Sequence, residues 1–296
     1  MKQFTITLIS LFILFTPLFL KAQDSTKCEE GKNWHWEWDD FDEWTMWQGK
    51  RPAIALNYGF SNVSRKDVEA PFADNNLIEV KLGYINNRNT KYADFLNKHT
   101  FNYLFINYNS TNLAGGSGTI SDIETKNWQF GAGWSKGYGY KIGDEASITP
   151  YYTSTMNWAR IDFPDDSLNP NDEKIKQLYD ETFRFGTSSE AGIRIQPTSL
   201  IMFEAGYERS IVFERHLFWK WAGSGIIEVA AQGLLDAFIK EIFKSSPSAG
   251  PIVYFVLKSA LGYGLYELRQ EKMNWPFSSA PPIAFDNVKF GVTFTF

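Results

Sequence analysis

From Asn287 to Phe296 the chain alternates without a break. Val288, Phe290, Val292, Phe294 and Phe296 fall on one side of an extended strand, and Asn287, Lys289, Gly291, Thr293 and Thr295 on the other. A helix cannot use this pattern, because its one-face neighbours are three and four residues apart. The period of two recurs upstream. Ile54, Leu56, Tyr58 and Phe60 alternate with Ala53, Ala55, Asn57 and Gly59, and Ile78, Val80, Leu82 and Tyr84 alternate with Glu79, Lys81 and Gly83. A third run, Phe101 to Tyr108, has Phe101, Tyr103 and Phe105 on one face and Leu104 and Ile106 on the other, so its orientation is ambiguous.

Four more runs follow. Trp128, Phe130, Ala132 and Trp134 oppose Gln129, Gly131, Gly133 and Ser135. Ile148, Pro150, Tyr152, Met156 and Trp158 oppose Thr149, Tyr151, Thr153, Thr155 and Asn157. Phe183, Phe185, Ala191, Ile193 and Ile195 oppose Arg184, Gly186, Ser188, Glu190, Arg194 and Gln196. Ile201, Phe203, Ala205 and Tyr207 oppose Met202, Glu204, Gly206 and Glu208. With the closing run, eight strands are expected.

The second face carries small residues, amides, hydroxyls and charges of both signs. That composition suits a barrel that is apolar outside and polar inside. It suits less well a soluble barrel around a greasy cavity or a β-sandwich. Aromatics near strand ends (Trp128, Trp134, Trp158, Tyr207) match interfacial girdles. The chain thus resembles the small outer-membrane β-barrel proteins of Gram-negative bacteria over about residues 52–296. The resemblance implies an all-β, antiparallel, up-and-down transmembrane barrel located in the outer membrane. It also implies contact with outer-membrane lipid, and recognition of Phe290, Phe294 and Phe296 by the barrel-assembly machinery.

Residues 1–22 read as a secretory signal peptide: Lys2, an apolar run from Thr5 to Leu20, and a small residue at Ala22. Its removal takes the formal charge from −5 to −7, which argues against nucleic acid as a partner. Residues 23–51 form an acidic, Trp-rich arm, expected to be periplasmic. Between Asn33 and Gln48 it holds five tryptophans and five carboxylates, with no Lys or Arg. The central-glycine spacing of a calcium loop is absent, so no metal site is predicted there. Cys28 has no second cysteine to pair with.

Connection lengths support the topology. With the mature N-terminus in the periplasm, the short links at Tyr140 to Asp144 and Gln196 to Ser199 fall inside. The longer Ser61 to Asn75, Asn109 to Thr125 and Ile161 to Glu181 fall outside, as in outer-membrane barrels. Asn86 to Lys98 is long for an inner turn. Before the last strand, residues 224–268 break the pattern. Glu228, Gln232, Asp236, Lys240 and Lys244 recur every fourth position, which is helical spacing, with Ser224 as N-cap. Ser245 to Gly250 interrupts, and Pro251 opens a second helix, Ile252 to Tyr266, apolar almost all round with Lys258 its only charge. Such a surface needs cover from the first helix, the lumen, the outer leaflet or a partner protein. Two extra strands, through His216 to Trp221 and Leu261 to Leu265, would give ten instead.

The candidate chemistry is sparse. Glu79, Lys81, Arg184, Glu190, Arg194, Glu204 and Glu208 are expected in the lumen. An eight-stranded bore leaves room only for side chains, so a structural charge network is favoured over a conduction path. A lipid-modifying barrel enzyme would need a nucleophile beside a base. His216 is the weak catalytic candidate, but Ser210 lies six residues away, about 20 Å along a strand. Gly131-Ala132-Gly133 with Gly137 misses the dinucleotide spacing, and Gly116-Ser117-Gly118 lacks a strand-to-helix context, so no cofactor is predicted. The leading reading is a non-enzymatic binding or scaffold component of the envelope, with an envelope protein meeting the helical hairpin. An envelope-modifying enzyme and a narrow solute channel are the alternatives.

Overall fold

The structure is a computed structural model describing residues 50–68, 70–111, 123–143, 145–164 and 170–296. The expected signal peptide and the arm up to Gly49 lie outside the described residues. Eight strands are present: β1 Arg51–Ser64, β2 Asn75–Asn89, β3 Leu96–Ser110, β4 Lys126–Lys141, β5 Ser147–Asp162, β6 Phe183–Gln196, β7 Ile201–Val212 and β8 Ile283–Thr295. Each pairs antiparallel with its neighbour in sequence, and β8 pairs with β1, so the sheet closes into a barrel. Closure removes both free edges and rules out the sandwich. Arg51 fastens the join, its guanidinium donating to the Phe296 carbonyl at 3.3 Å, and it also reaches the Ser199 carbonyl of the β6–β7 turn at 2.8 Å.

The alternation decides which residues face out. Leu56, Phe60, Leu82, Leu104, Phe130, Phe203 and Phe290 are exposed on the outer wall, whereas Asn57, Glu79, Asn107, Gln129, Thr153 and Lys289 are buried in the lumen. The ambiguous third run resolves with its aromatics inward. Phe101, Tyr103 and Phe105 are buried as a ladder with ring centroids 4.8 and 6.1 Å apart, and Leu104 is 68% exposed outside. Inward glycines make the room. A Cβ at Gly133 would collide with the Tyr103 ring, and one at Gly192 or Gly206 with the Tyr151 phenol.

Three helices complete the described fold: α1 Pro170–Tyr179, α2 Phe218–Ser245 and α3 Gly250–Glu271. Leu261 to Leu265 lies within α3, and Phe218 to Trp221 opens α2 with His216 and Leu217 just before it, so the barrel has eight strands. The hairpin is longer than the sequence boundaries 224–268. Ser224 is buried within α2 and does not cap it; Leu217 holds the cap position, without a side-chain hydrogen bond. Pro251 does sit in the first turn of α3. The long link Asn86 to Lys98 shrinks to residues 90–95, because β2 runs on to Asn89 and β3 begins at Leu96. The link Ile161 to Glu181 is more than a loop, since it contains α1.

Candidate functional site in the lumen and on the outer wall

The lumen holds one connected charge network. The Lys289 ammonium contacts Glu79 at 3.1 Å, Glu190 at 2.6 Å and Glu208. The Lys81 ammonium contacts Glu79 at 3.4 Å, Glu190 at 3.6 Å and Glu204 at 3.4 Å. An ammonium has three N–H donors, and each of these lysines faces three carboxylates. Arg194 donates to Glu204 at 2.9 and 3.1 Å, lies 4.2 Å over the Tyr151 ring, and reaches His99 Nδ1 at 3.0 Å. Arginine keeps its protons, so His99 Nδ1 accepts and the ring proton sits on Nε2. Tyr151 donates to Glu190, and Asn57 to Glu79 at 2.9 Å.

Six of the seven charges expected inside meet here, and Arg184 does not. It lies at the rim, donating to the Leu178 carbonyl of α1. Sequence reading also omitted Lys289 and His99, both buried and both central. Lys289 stands on the polar face of the closing run, which was the available signal.

Both ends of the bore are packed. At the end where β1 begins and β8 ends, Ala53, Ala55, Ile85, Phe101 and Met202 are buried together with Tyr103 and Phe105. At the opposite end α1 lies across the mouth. Its Ile175 and Tyr179 are buried against Val63, Ile161, Val212, Ile283 and Phe285. Tyr179 donates to the Val212 carbonyl at 3.2 Å, and Arg65 lies over its ring while pairing with Asp67 at 2.6 Å and Glu214 at 3.0 Å. Burial pushes the Tyr179 phenol above its ordinary value, so it remains a neutral donor. The cap is a polar latch over an apolar plug.

The second notable region is outside. The α2–α3 hairpin leaves the end capped by α1, runs along the outer wall and turns back near the end where β1 begins. At its start Trp221 packs on Phe185, with centroids 5.5 Å apart. At its turn Phe243 stacks on Tyr92 at 5.1 Å, and Tyr140 donates to the Ser248 carbonyl at 2.6 Å. The returning helix α3 lies against β4 to β7. Tyr254 donates to the Lys136 carbonyl at 3.3 Å, Gly262 rests on the Tyr152 phenol, and Tyr263 stacks on Arg209 at 4.6 Å.

The wall beneath α3 is polar where its neighbours are apolar. Ser154 pairs in register with Ser189, Ser189 with Arg209, and Arg209 with Asp286, giving a polar row across four strands on the outward face. Ser154 and Ser189 are gaps in the apolar face of the fifth and sixth runs, and Arg209 follows the last apolar residue of the seventh. They were the legible trace of a docking seat.

The hairpin seam is also polar. Lys258 of α3 pairs with Asp236 of α2 at 2.7 Å and donates to the Gln232 side chain at 2.7 Å. Arg269 pairs with Glu228 at 2.8 Å and donates to Ser224 at 3.1 Å. Glu228, Gln232 and Asp236 of the polar stripe therefore face the partner helix, whereas Lys244 pairs within α2 with Glu241 at 2.7 Å. The other side of α2 exposes Trp219 (83%), Ile226 (70%), Val229 (72%) and Leu234 (75%). By length and composition α2 could cross a membrane.

His216 sits outside in an aromatic cluster, with ring centroids 5.3 Å from Phe185 and 5.6 Å from Trp221. Ser210 is fully buried on the lumen side, so the wall separates the two. Among the described residues no group of His, Cys, Asp and Glu is arranged to hold a metal ion. Phe290, Phe294 and Phe296 are exposed on the outer wall.

The closed barrel, apolar outside and polar within, has the architecture implied by the resemblance to small outer-membrane barrels. No family model and no curated protein matches the chain. Among solved structures it is similar to Neisserial surface protein A (NspA), at 10% identity and a TM-score of 0.39, over 83% of this chain and 97% of that one. It is also similar to Ail, the attachment invasion locus protein of Yersinia pestis, at 8% identity and a TM-score of 0.31, over 84% of this chain and all of that one.

Proposed function

We propose that this protein is a closed, non-conducting barrel of the Gram-negative outer membrane that acts as a binding or scaffold component, with the α2–α3 hairpin as its contact element. One observation carries the reading. The lumen is filled by its own side chains, while an apolar helix is held on the outer wall by a dedicated polar seat. A channel needs a continuous wet bore, and α1 and the Tyr103 ladder occupy that space. An enzyme centred on His216 needs a hydroxyl or carboxylate in hydrogen-bond reach, and His216 is packed instead beside the rings of Phe185 and Trp221. Outer-membrane lipid meets the apolar belt, an envelope protein is the partner expected on α2, and the aromatics of β8 engage the assembly machinery.

Membrane fractionation with heat-modifiable gel mobility tests the location. A soluble protein without a heat shift would sink the reading. Planar-bilayer recording tests closure, where stepwise conductance from purified protein would favour the channel. A photo-crosslinking side chain at Leu234 tests the contact element: a discrete protein adduct supports it, and lipid adducts alone count against it.

A further inference from the structure

We propose that the two ion pairs in the hairpin seam serve export as well as packing, by lowering the tendency of each helix to lodge in the inner membrane before the hairpin forms. The inference rests on the outer-membrane reading. A chain bound for that membrane crosses the inner one unfolded, and there an apolar helix of about 20 residues partitions sideways into the bilayer. By length and composition α2 stands at the limit for doing so with Glu228 and Asp236 in place, so each charge counts. In α3, Ile252 to Tyr266 carries Lys258 as its only charge.

A charge near the middle of such a helix opposes lodging, because it would enter hydrocarbon alone. Glu228 and Asp236 occupy that part of α2, and Lys258 that part of α3. The same charges would be a liability in the finished protein if they stayed unpaired. The structure removes that liability: Asp236 meets Lys258 at 2.7 Å and Glu228 meets Arg269 at 2.8 Å. Partners on opposite helices are polar while the helices are apart and neutral once they are together. Packing alone would also be served by apolar residues in the seam, whereas only charged ones act in the separated state as well.

The test uses the full chain in a Gram-negative host, with sucrose-gradient fractionation, carbonate extraction and heat-modifiable mobility. Asp236→Leu with Lys258→Leu is expected to shift the protein from the outer- to the inner-membrane fraction, resistant to carbonate. The exchange Asp236→Lys with Lys258→Asp keeps each helix charged and the pair intact, and is expected to stay in the outer membrane. The inference is overturned if the leucine variant reaches the outer membrane as wild type does. It is equally overturned if that variant accumulates misfolded in the periplasm, or if the exchanged variant is the one retained. Wild type missing from the outer membrane would instead refute the location on which the inference rests.

Discussion

Lys289 on β8 reaches Glu79 on β2 at 3.1 Å, across the single strand between them. The contact spans the join of the sheet, so it exists only when the barrel is closed. Lys289→Met would leave Glu79, Glu190 and Glu208 without their shared ammonium. Removing one partner of a buried pair costs about 3–5 kcal/mol. We expect a marked fall in the temperature at which the fast-migrating folded band is lost. Glu208→Gln should cost less, because it leaves Glu79, Glu190 and Glu204 facing Lys81, Arg194 and Lys289. The reverse order would refute the network as a closure device.

Gly133 and Tyr103 share one space in the lumen. Gly133→Leu should overpack it, at about 1–3 kcal/mol. Combined with Tyr103→Ala the penalty should shrink, giving a coupling above roughly 0.5 kcal/mol in a double-mutant cycle. Strict additivity in urea unfolding would show that the ring does not fill the bore.

Gly262 lets α3 approach the phenol of Tyr152. Gly262→Phe should lift the hairpin while leaving the closed barrel intact. The signature is new protease cleavage within residues 218–271 with an unchanged heat shift. Adding Tyr152→Ala should restore protection, and no rescue would mean that the hairpin is seated elsewhere.

Replacing residues 218–271 by a short loop should still yield a closed barrel, since β7 and β8 pair directly. The exposed row of Ser154, Ser189 and Arg209 would then face lipid. We expect a lower melting temperature, recovered by leucine at those positions. If the deletion melts as wild type does, the polar row is not a seat.

Strand number, inside and outside were legible because alternation and closure agree over long runs such as β1 and β8. The hairpin was legible as two helices, because Glu228, Gln232 and Asp236 recur at four-residue spacing. Its location was not, since a helix apolar nearly all round has several covers available. What settles the matter is the interruption of the wall at Ser154, Ser189 and Arg209, three residues that meet only after the strands are in register. Lys289 and His99 were missed for a related reason, as their partners lie 81 to 210 and 95 residues away. Helix α1 was read as loop because its apolar anchors, Ile175 and Tyr179, find their partners on strands remote in sequence. Ser224 was misread as a cap because a serine before an apolar run looks the same whether it caps or is buried in a seam.

Helix α3 covers β4 to β7 and the start of β8, and leaves the outward residues of β1 and β2 bare. A plain eight-stranded barrel looks much the same from every side, so its neighbours in a crowded membrane meet it at any angle. This one has a front and a back. Rotation about its long axis changes what an adjacent molecule encounters, from a helical ridge to a smooth wall of Leu56, Leu82 and Phe290. Any lateral order it adopts would be directional.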